Sequence, residues 1–273
     1  TGDSALARAA GGNVGIDVAT NQVVAAVPPA DLARLAGRAP AGVTVVPAEP
    51  LAVEADACTD RRNCDDFLAA GLMIRNGNPG AHVCSLGFTA RNSADQRIML
   101  TAGHCSTAVG QQWSVGQNTV RLVGSVSGRI DSGAADVTRV VVTNAFFGNV
   151  NSGRIYVSPP ANWSPVIGDT FLINGDVVCL SASFPNPGRV GNPCATVTNT
   201  SDPGTRNMVR IEGYDACPGD SGGGWYWLAA SGNRYAVALH SRSVSGCNAA
   251  GAVSWASPIT AFYPDLRFNY ETG

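Results

Sequence analysis

From about Gly71 onward the sequence is a succession of short apolar runs cut apart by Gly, Asn, Ser and Pro. Such runs lie at 83–90, 97–101, 120–126, 137–143, 171–173, 208–211, 224–228 and 235–239. Strands this short and this regularly punctuated specify an all-β sandwich or barrels, not a helix bundle or an alternating α/β sheet. A Pro-rich stretch at 158–165 divides the region into 71–165 and 166–273. Residues 258–266 read as one short terminal helix with Pro258 in its first turn.

Residues 1–57 differ: they are Ala-rich, hold no cysteine before Cys58, and read as a small α+β unit. Apolar runs at 14–18 and 22–27 are split by Thr20-Asn21, and Pro28-Pro29 stops the second. Leu32, Leu35 and Ala36 fall at helical spacing within 31–38, and 43–46 reads as a further strand. Such a unit is too small to bury a comfortable core alone. Residues 58–70 form a linker holding the loop Cys58-Thr-Asp-Arg-Arg-Asn-Cys64, whose Arg61-Arg62 pair is either a processing site or an exposed charged loop.

Composition narrows the function classes. Charged residues are 14% of the chain and hydrophobic ones 45%, which excludes charge-driven disorder. The formal net charge is −2, so the basic footprint of a nucleic-acid binder is missing. No apolar run approaches the roughly eighteen residues of a membrane span. All 18 basic residues are Arg, which suits a GC-rich bacterial genome. The 8 cysteines include no Cys-x-x-Cys and no Cys/His group at zinc spacing; with only 3 histidines, no metal or other cofactor is implied. Four disulfides and an oxidising, extracellular compartment are the plain reading. Eight cysteines allow about a hundred connectivities. Closing nearest neighbours gives Cys58–Cys64, Cys84–Cys105, Cys179–Cys194 and Cys217–Cys247. The chain opens at Thr1 without a leader, as expected if a secretory signal has been removed.

Two segments carry chemistry: Leu100-Thr-Ala-Gly-His104-Cys105, ending an apolar run, and Cys217-Pro-Gly-Asp-Ser221-Gly-Gly-Gly-Trp225. A serine hydroxyl needs a base to become a nucleophile, and an imidazole suits that task near neutral pH. The imidazole needs a carboxylate to fix its tautomer, and glycines beside the serine free backbone amides to face an oxyanion. In this order the two segments resemble the chymotrypsin-like serine proteases. With Cys84-Ser-Leu-Gly-Phe88 they are closest to the secreted bacterial streptogrisin and α-lytic protease group. The similarity spans roughly 71–268, and residues 1–57 resemble the end of that group's pro-region.

The resemblance implies two antiparallel six-stranded β-barrels with the site in the cleft between them. It makes His104 the general base, Ser221 the nucleophile, the amides of Gly219 and Ser221 the oxyanion hole, and Asp220 a brace for the serine loop. The third member matches Asp136 in Ala134-Ala-Asp136-Val; Asp131, which precedes Ser-Gly as turn residues do, is the alternative. Ser241 is expected to hydrogen-bond near Asp136. The family pattern places Cys84–Cys105 at the histidine turn, Cys217–Cys247 at the serine loop and Cys179–Cys194 across a hairpin. No Ile-Val-Gly-Gly activation segment exists. The resemblance therefore implies an arginine partner for Asp220, and nothing in the sequence selects it. Gly219-x-Ser221-x-Gly223 also matches the nucleophile elbow of α/β-hydrolases, which needs an acid and then a histidine downstream. Only His240 follows, with no acid between, so that reading fails.

The specificity pocket carries a conflict. Asp215, in an ungapped run to Ser221, falls where trypsin keeps its pocket-floor acid, implying cleavage after Arg or Lys. His240 and Ser243, in Leu239-His-Ser-Arg-Ser243, resemble the carboxylate-holding residues of glutamyl endopeptidases. The other histidines of the streptogrisin-type glutamyl enzymes are replaced, with Trp225 and Trp255 the nearest matches. The expected function is a secreted serine endopeptidase acting on protein or peptide substrates. It would be open to protein inhibitors, without nucleic-acid or membrane partners, and 1–57 could make it a zymogen. A protease fold that has lost activity and only binds is the rival.

Overall fold

Most of the short apolar runs become strands because each presents one side to a buried interior. A computed structural model describes residues 13–17, 22–27, 32–47, 60–77, 83–117, 120–149, 153–158, 162–183, 191–214, 216–244, 247 and 252–259. Contacts divide the chain into Thr1–Ala55 and Asp56–Gly273. In the first unit β1 (Asn13–Asp17) pairs antiparallel with β2 (Gln22–Val27), and β2 pairs parallel with β3 (Val43–Pro47). The parallel pair needs a crossover, supplied by α1 (Leu32–Ala36), which buries Leu35.

In the second unit, the first sheet contains β4 (Met73–Asn76), β5 (Val83–Ser85), β6 (Phe88–Arg91), β7 (Arg97–Thr101), β8 (Gln112–Val115), β9 (Arg121–Ser132) and β10 (Ala135–Val142). Their order is β5-β4-β8-β9-β10-β7-β6, every pair antiparallel. The sequence suggests a single strand over 83–90. The structure breaks it at Leu86-Gly87 into β5 and β6, which pair with β4 and β7 respectively. Counted as one, they close the sheet into a ring of six positions. Trp113, Ile74, Leu86, Met99 and Val123 fill it.

The second sheet adds β11 (Arg154–Ser158), β12 (Asn162–Asp169), β13 (Val177–Ser181), β14 (Cys194–Asp202), β15 (Met208–Glu212), β16 (Gly224–Leu228), β17 (Arg234–Ser243) and β18 (Val253–Pro258). Its order is β11-β12-β17-β16-β13-β14-β15-β18, and an extra β17–β18 pairing closes the last six into a second antiparallel ring. The β11–β12 hairpin joins it by a short parallel pairing of β12 with β17. Trp225, Leu180, Val197, Ile211 and Val237 pack inside. Phe88, Leu100 and Val137 of the first ring meet Tyr226 and Leu239 of the second in one cluster between the barrels. The chain is thus all-β, as the strand pattern implies, with the two antiparallel six-stranded barrels that the family resemblance implies.

Three local expectations are corrected or left aside. Residues 171–173 are not a strand; Phe171 and Ile173 are 81% and 68% exposed. The Ile173 amide is taken by the Asp176 carboxylate (2.8 Å), and Gly175, at φ +98°, turns the chain before β13. Pro258 ends β18, and the rest of the expected terminal helix lies outside the described residues. Arg61 is not a free loop cation. Its guanidinium bonds to the Ala182 carbonyl and Asn192 Oδ1 and lies 4.1 Å above the Tyr156 ring.

Candidate active site

β7 ends at Thr101, and a 3₁₀ turn over Gly103–Cys105 lifts His104 out of the first barrel. The Cys84–Cys105 disulfide ties that turn to β5. Asp136 is the second residue of β10, its side chain wholly buried while that of His104 is 39% exposed. The Asp136 carboxylate grips His104 twice: Oδ1 accepts the His104 backbone amide at 2.7 Å and Oδ2 lies 2.7 Å from ring Nδ1. The other ring nitrogen, Nε2, is 2.9 Å from Ser221 Oγ. One imidazole therefore spans a dry carboxylate and a serine hydroxyl. That arrangement can draw a proton from the hydroxyl while the carboxylate stabilises the charged ring.

The second barrel completes the environment of Asp136. Ser241 on β17 donates its hydroxyl to Oδ2, and Ser257 Oγ on β18 accepts the Asp136 amide at 2.8 Å. Burial by itself would raise this carboxyl's pKa. The hydrogen bond and charge of His104, with the Ser241 hydroxyl and the His104 amide, outweigh burial and hold it below the usual carboxylate range.

Asp131 pairs directly opposite Asp136 in the β9–β10 register. Two facing carboxylates repel. The repulsion is offset by Arg129 Nη2 at 3.1 Å and Arg206 Nη1 at 3.0 Å, both on Asp131. Arg129 also donates to the Gly103 carbonyl (2.7 Å), and Arg206 to the carbonyls of Gly133 and Ala135 (both 2.7 Å). The alternative acid is thus an ion-pair hub behind the site, away from the imidazole's bonds. No local motif marks Ser257 or Arg206; their positions depend on the two barrels meeting.

Around Ser221 the backbone turns sharply. Asp220 N donates to Cys217 O (2.9 Å), closing a turn with Pro218 second and Gly219 third at φ +98°. This is the type II pattern, which needs glycine at that place. The amides of Gly222 and Gly223 are bonded to His240 O and Asp220 O, both at 2.8 Å. Those of Gly219 and Ser221 have no hydrogen-bond partner among the described residues. Asp220 is fully buried and braces the turn, Oδ2 accepting from the Cys217 amide (2.9 Å) and the Tyr214 hydroxyl (3.1 Å). A disulfide joins Cys217 to Cys247, and another joins Cys179 to Cys194. Cys64 is disulfide-bonded, and Cys58 lies outside the described residues.

Beside Ser221 opens a cleft of about 380 Å³ lined by Ala216, Cys217, Pro218, His240, Ser243 and others. His240 is 2% exposed, its ring 6.3 Å from that of Trp225. Ser243 donates its hydroxyl to the Ala216 carbonyl (3.2 Å). Asp215, the sequence's other candidate for this pocket, lies outside the described residues. No cluster of three or more His, Cys, Asp or Glu able to hold a metal is found among the described residues.

No protein-family model matches the chain. It is 30% identical to serine protease 2 of Streptomyces fradiae over 158 residues, 57% of this chain and 86% of that protein. Its fold matches Thermobifida fusca protease A with a TM-score of 0.58 at 23% identity, over 75% of this chain and all of that one. It also matches a glutamic-acid-specific serine protease that uses a histidine triad in substrate binding. There the TM-score is 0.57 at 23% identity, over 73% of this chain and 99% of that one. With this sequence likeness to a serine protease and two closed barrels in common with bacterial proteases, the chain belongs to the bacterial chymotrypsin-like serine proteases.

Proposed function

We propose that this endopeptidase cuts peptide bonds through an acyl-enzyme on Ser221. His104 is the general base, Asp136 orients and stabilises its ring, and the Gly219 and Ser221 amides receive the oxyanion. The observation that carries the reading is the single imidazole 2.7 Å from Asp136 Oδ2 and 2.9 Å from Ser221 Oγ. In the first step Ser221 Oγ bonds to the scissile carbonyl carbon, and its proton passes to His104 Nε2. His104 then delivers that proton to the leaving amine. Water reverses the sequence to release the acid. Two amides on a tight turn can meet the negative oxygen of each tetrahedral intermediate without reorganising. Three disulfides support a secreted, extracellular protein. Residues 1–57 are read as a pro-region-like segment and 58–70 as a linker; the division at 165/166 read from the sequence falls inside β12 (Asn162–Asp169) of the second sheet.

For specificity we infer cleavage after Arg or Lys, with Asp215 meeting the substrate cation. Asp215 directly precedes Ala216, a wall residue of the cleft. The glutamic-acid-specific relative uses three histidines on its substrate. This chain has 3 in all, and His104 is already engaged by Asp136 and Ser221. The Ser243 hydroxyl is bonded to the Ala216 carbonyl, and turning it toward a substrate carboxylate would break that bond. The competing outcome is cleavage after Glu, favoured by His240 and Arg242 on the cleft wall. A peptide-library digest read by mass spectrometry decides. Cuts after Arg and Lys that fall at least about a hundredfold in Asp215→Ser support the inference; cuts confined to Glu overturn it.

A further inference from the structure

Gly219 and Ser221, whose amides have no partner among the described residues, have both of their carbonyls held by one other residue. Ser85, at the end of β5, donates its backbone N–H to Ser221 O at 2.8 Å and lies with Oγ 2.8 Å from Gly219 O. Its remaining groups are also engaged. Ser85 Oγ accepts the Ser183 amide at 2.8 Å, and Ser85 O accepts the Thr101 hydroxyl at 2.9 Å. Ser183 Oγ lies 3.0 Å from Ser85 Oγ and 3.4 Å from Gly219 O. Ser85 is wholly buried and Ser183 is 3% exposed, so water does not substitute for these bonds.

From this geometry we infer that Ser85 is a positioning residue for transition-state stabilisation: it sets the direction of the Gly219 and Ser221 amides by fixing the carbonyls of the same two residues. A peptide plane turns as a unit. Fixing the carbonyl of Gly219 fixes the plane it shares with the Asp220 amide. Fixing that of Ser221 fixes the plane it shares with Gly222. Between these anchors the Ser221 amide, and before them the Gly219 amide, have little rotation left. The donors are thereby held at one orientation before any negative charge develops, the condition under which oxyanion contacts contribute most.

The linkage also spans the cleft. Thr101 ends the strand that leads to His104, Ser183 follows β13 of the second barrel, and Ser85 joins both to the serine loop. Gly222 lets the segments approach. A Cβ there would stand 2.7 Å from both Ala102 N and Ser85 O, at a φ of +82°. The inference rests on the proposed roles of Ser221 and Gly219 and goes beyond them, since Ser85 touches neither substrate nor imidazole.

The test is Ser85→Ala, which deletes the hydroxyl and leaves both backbone bonds of residue 85 available. Thr101→Val, a near-isosteric change, loosens the same residue from its other side. For each, kcat and KM are measured on one peptide ester or amide. Inhibition by a peptide boronate, which forms a tetrahedral adduct on serine, is compared with inhibition by the matching cleaved peptide. The expected result for Ser85→Ala is a kcat lower by about a hundredfold. KM should stay within about twofold, and boronate affinity should fall by a factor like that in kcat while product affinity holds. Thr101→Val is expected to show the same split with a smaller loss. A kcat within threefold of the parent, a loss carried by KM, or an unchanged boronate affinity overturns the inference. So does failure of both variants to fold, which would assign these bonds to stability alone. If the parent protein is not labelled at Ser221 by a phosphonylating reagent, the acyl-enzyme reading itself has failed. Labelling of the parent with full activity in Ser85→Ala rejects only the role of Ser85.

Discussion

The backbone amide of Asp136 donates to the Ser257 hydroxyl at 2.8 Å, so an acid carried by the first barrel is held in place by the second. Ser241, on the neighbouring strand of the second barrel, reaches the carboxylate of the same residue. The distance between the two barrels is therefore built into the hydrogen bonds of one side chain and one amide. The Ser241 bond lowers the carboxyl's pKa, and its loss lets that pKa rise. Ser241→Ala is expected to lower kcat by about tenfold at pH 7 and, by letting the Asp136 carboxyl return toward its unfolded value, to make the loss of stability toward pH 3 shallower in urea titrations. Ser257→Ala strands a buried amide and is expected to cost about 1–3 kcal/mol of unfolding free energy in a denaturant titration.

Asp136 and Asp131 face each other in the β9–β10 register yet should respond differently to the same change. Asp136→Asn is expected to lower kcat by about 10⁴ because the amide supports the wrong imidazole tautomer. Asp131→Asn releases Arg129 and Arg206 from one partner and is expected to cost tenfold or less, since both arginines keep bonds to backbone carbonyls. Steady-state rates of the two variants, side by side, check the assignment. A larger loss from Asp131→Asn would reverse it.

Stability should depend on acid in a defined direction. The folded protein holds the Asp136 carboxyl below its ordinary pKa, so the folded state binds that proton less readily than the unfolded chain. The stabilisation is complete above the unfolded value of about 3.9 and disappears as pH falls through the lower folded value. Asp202, held low by the Trp255 indole and the Gly204 amide, adds in the same direction. Urea titrations at pH 7, 5 and 3 in a Ser221→Ala background, which prevents self-digestion, should show stability falling toward pH 3. The fall should be shallower once Asp136→Asn is added.

Much of the fold was legible because buried strands leave a pattern in the sequence. The run at 97–101 is β7 with the same ends, and 22–27 is β2. What local pattern did not carry was any feature made by the meeting of the two barrels. The break between β5 and β6 falls where Ser85 N leaves its own sheet for Ser221 O. The run at 171–173 looks like a strand in sequence, but its exposed side chains and the Asp176 carboxylate on the Ile173 amide leave it without a ladder. The motif residues His104 and Ser221 stood out because glycine and cysteine neighbours mark them. Ser183 and Ser257 are serines in ordinary surroundings, and Ser85 sits in the family-like Cys84-Ser-Leu-Gly-Phe88 segment with nothing local to mark its bonds; the importance of all three depends on partners about 100 residues away in the chain. Asp131 and Asp136 flank one hairpin turn, so spacing alone separates them poorly; the His104 amide and ring make the distinction.

All eight cysteines are expected to be oxidised in the native chain. Among the described residues three disulfides are formed and no cysteine is free. Intact mass before and after alkylation under denaturing, non-reducing conditions should be identical. A mass gain would reveal a thiol. Replacing Cys84 and Cys105 together by Ala should cost about 2–4 kcal/mol of stability and loosen the turn that presents His104.

The proposed chemistry stands on Ser221 as the nucleophile, activated by His104. Its most direct test is labelling by a serine-directed phosphonylating reagent, followed by peptide mapping. One label per active chain is expected, located on Ser221, with peptidase activity lost in parallel. Labelling should be absent in Ser221→Ala and slowed by orders of magnitude in His104→Ala. A label on any other residue, or full peptidase activity in Ser221→Ala, would contradict it.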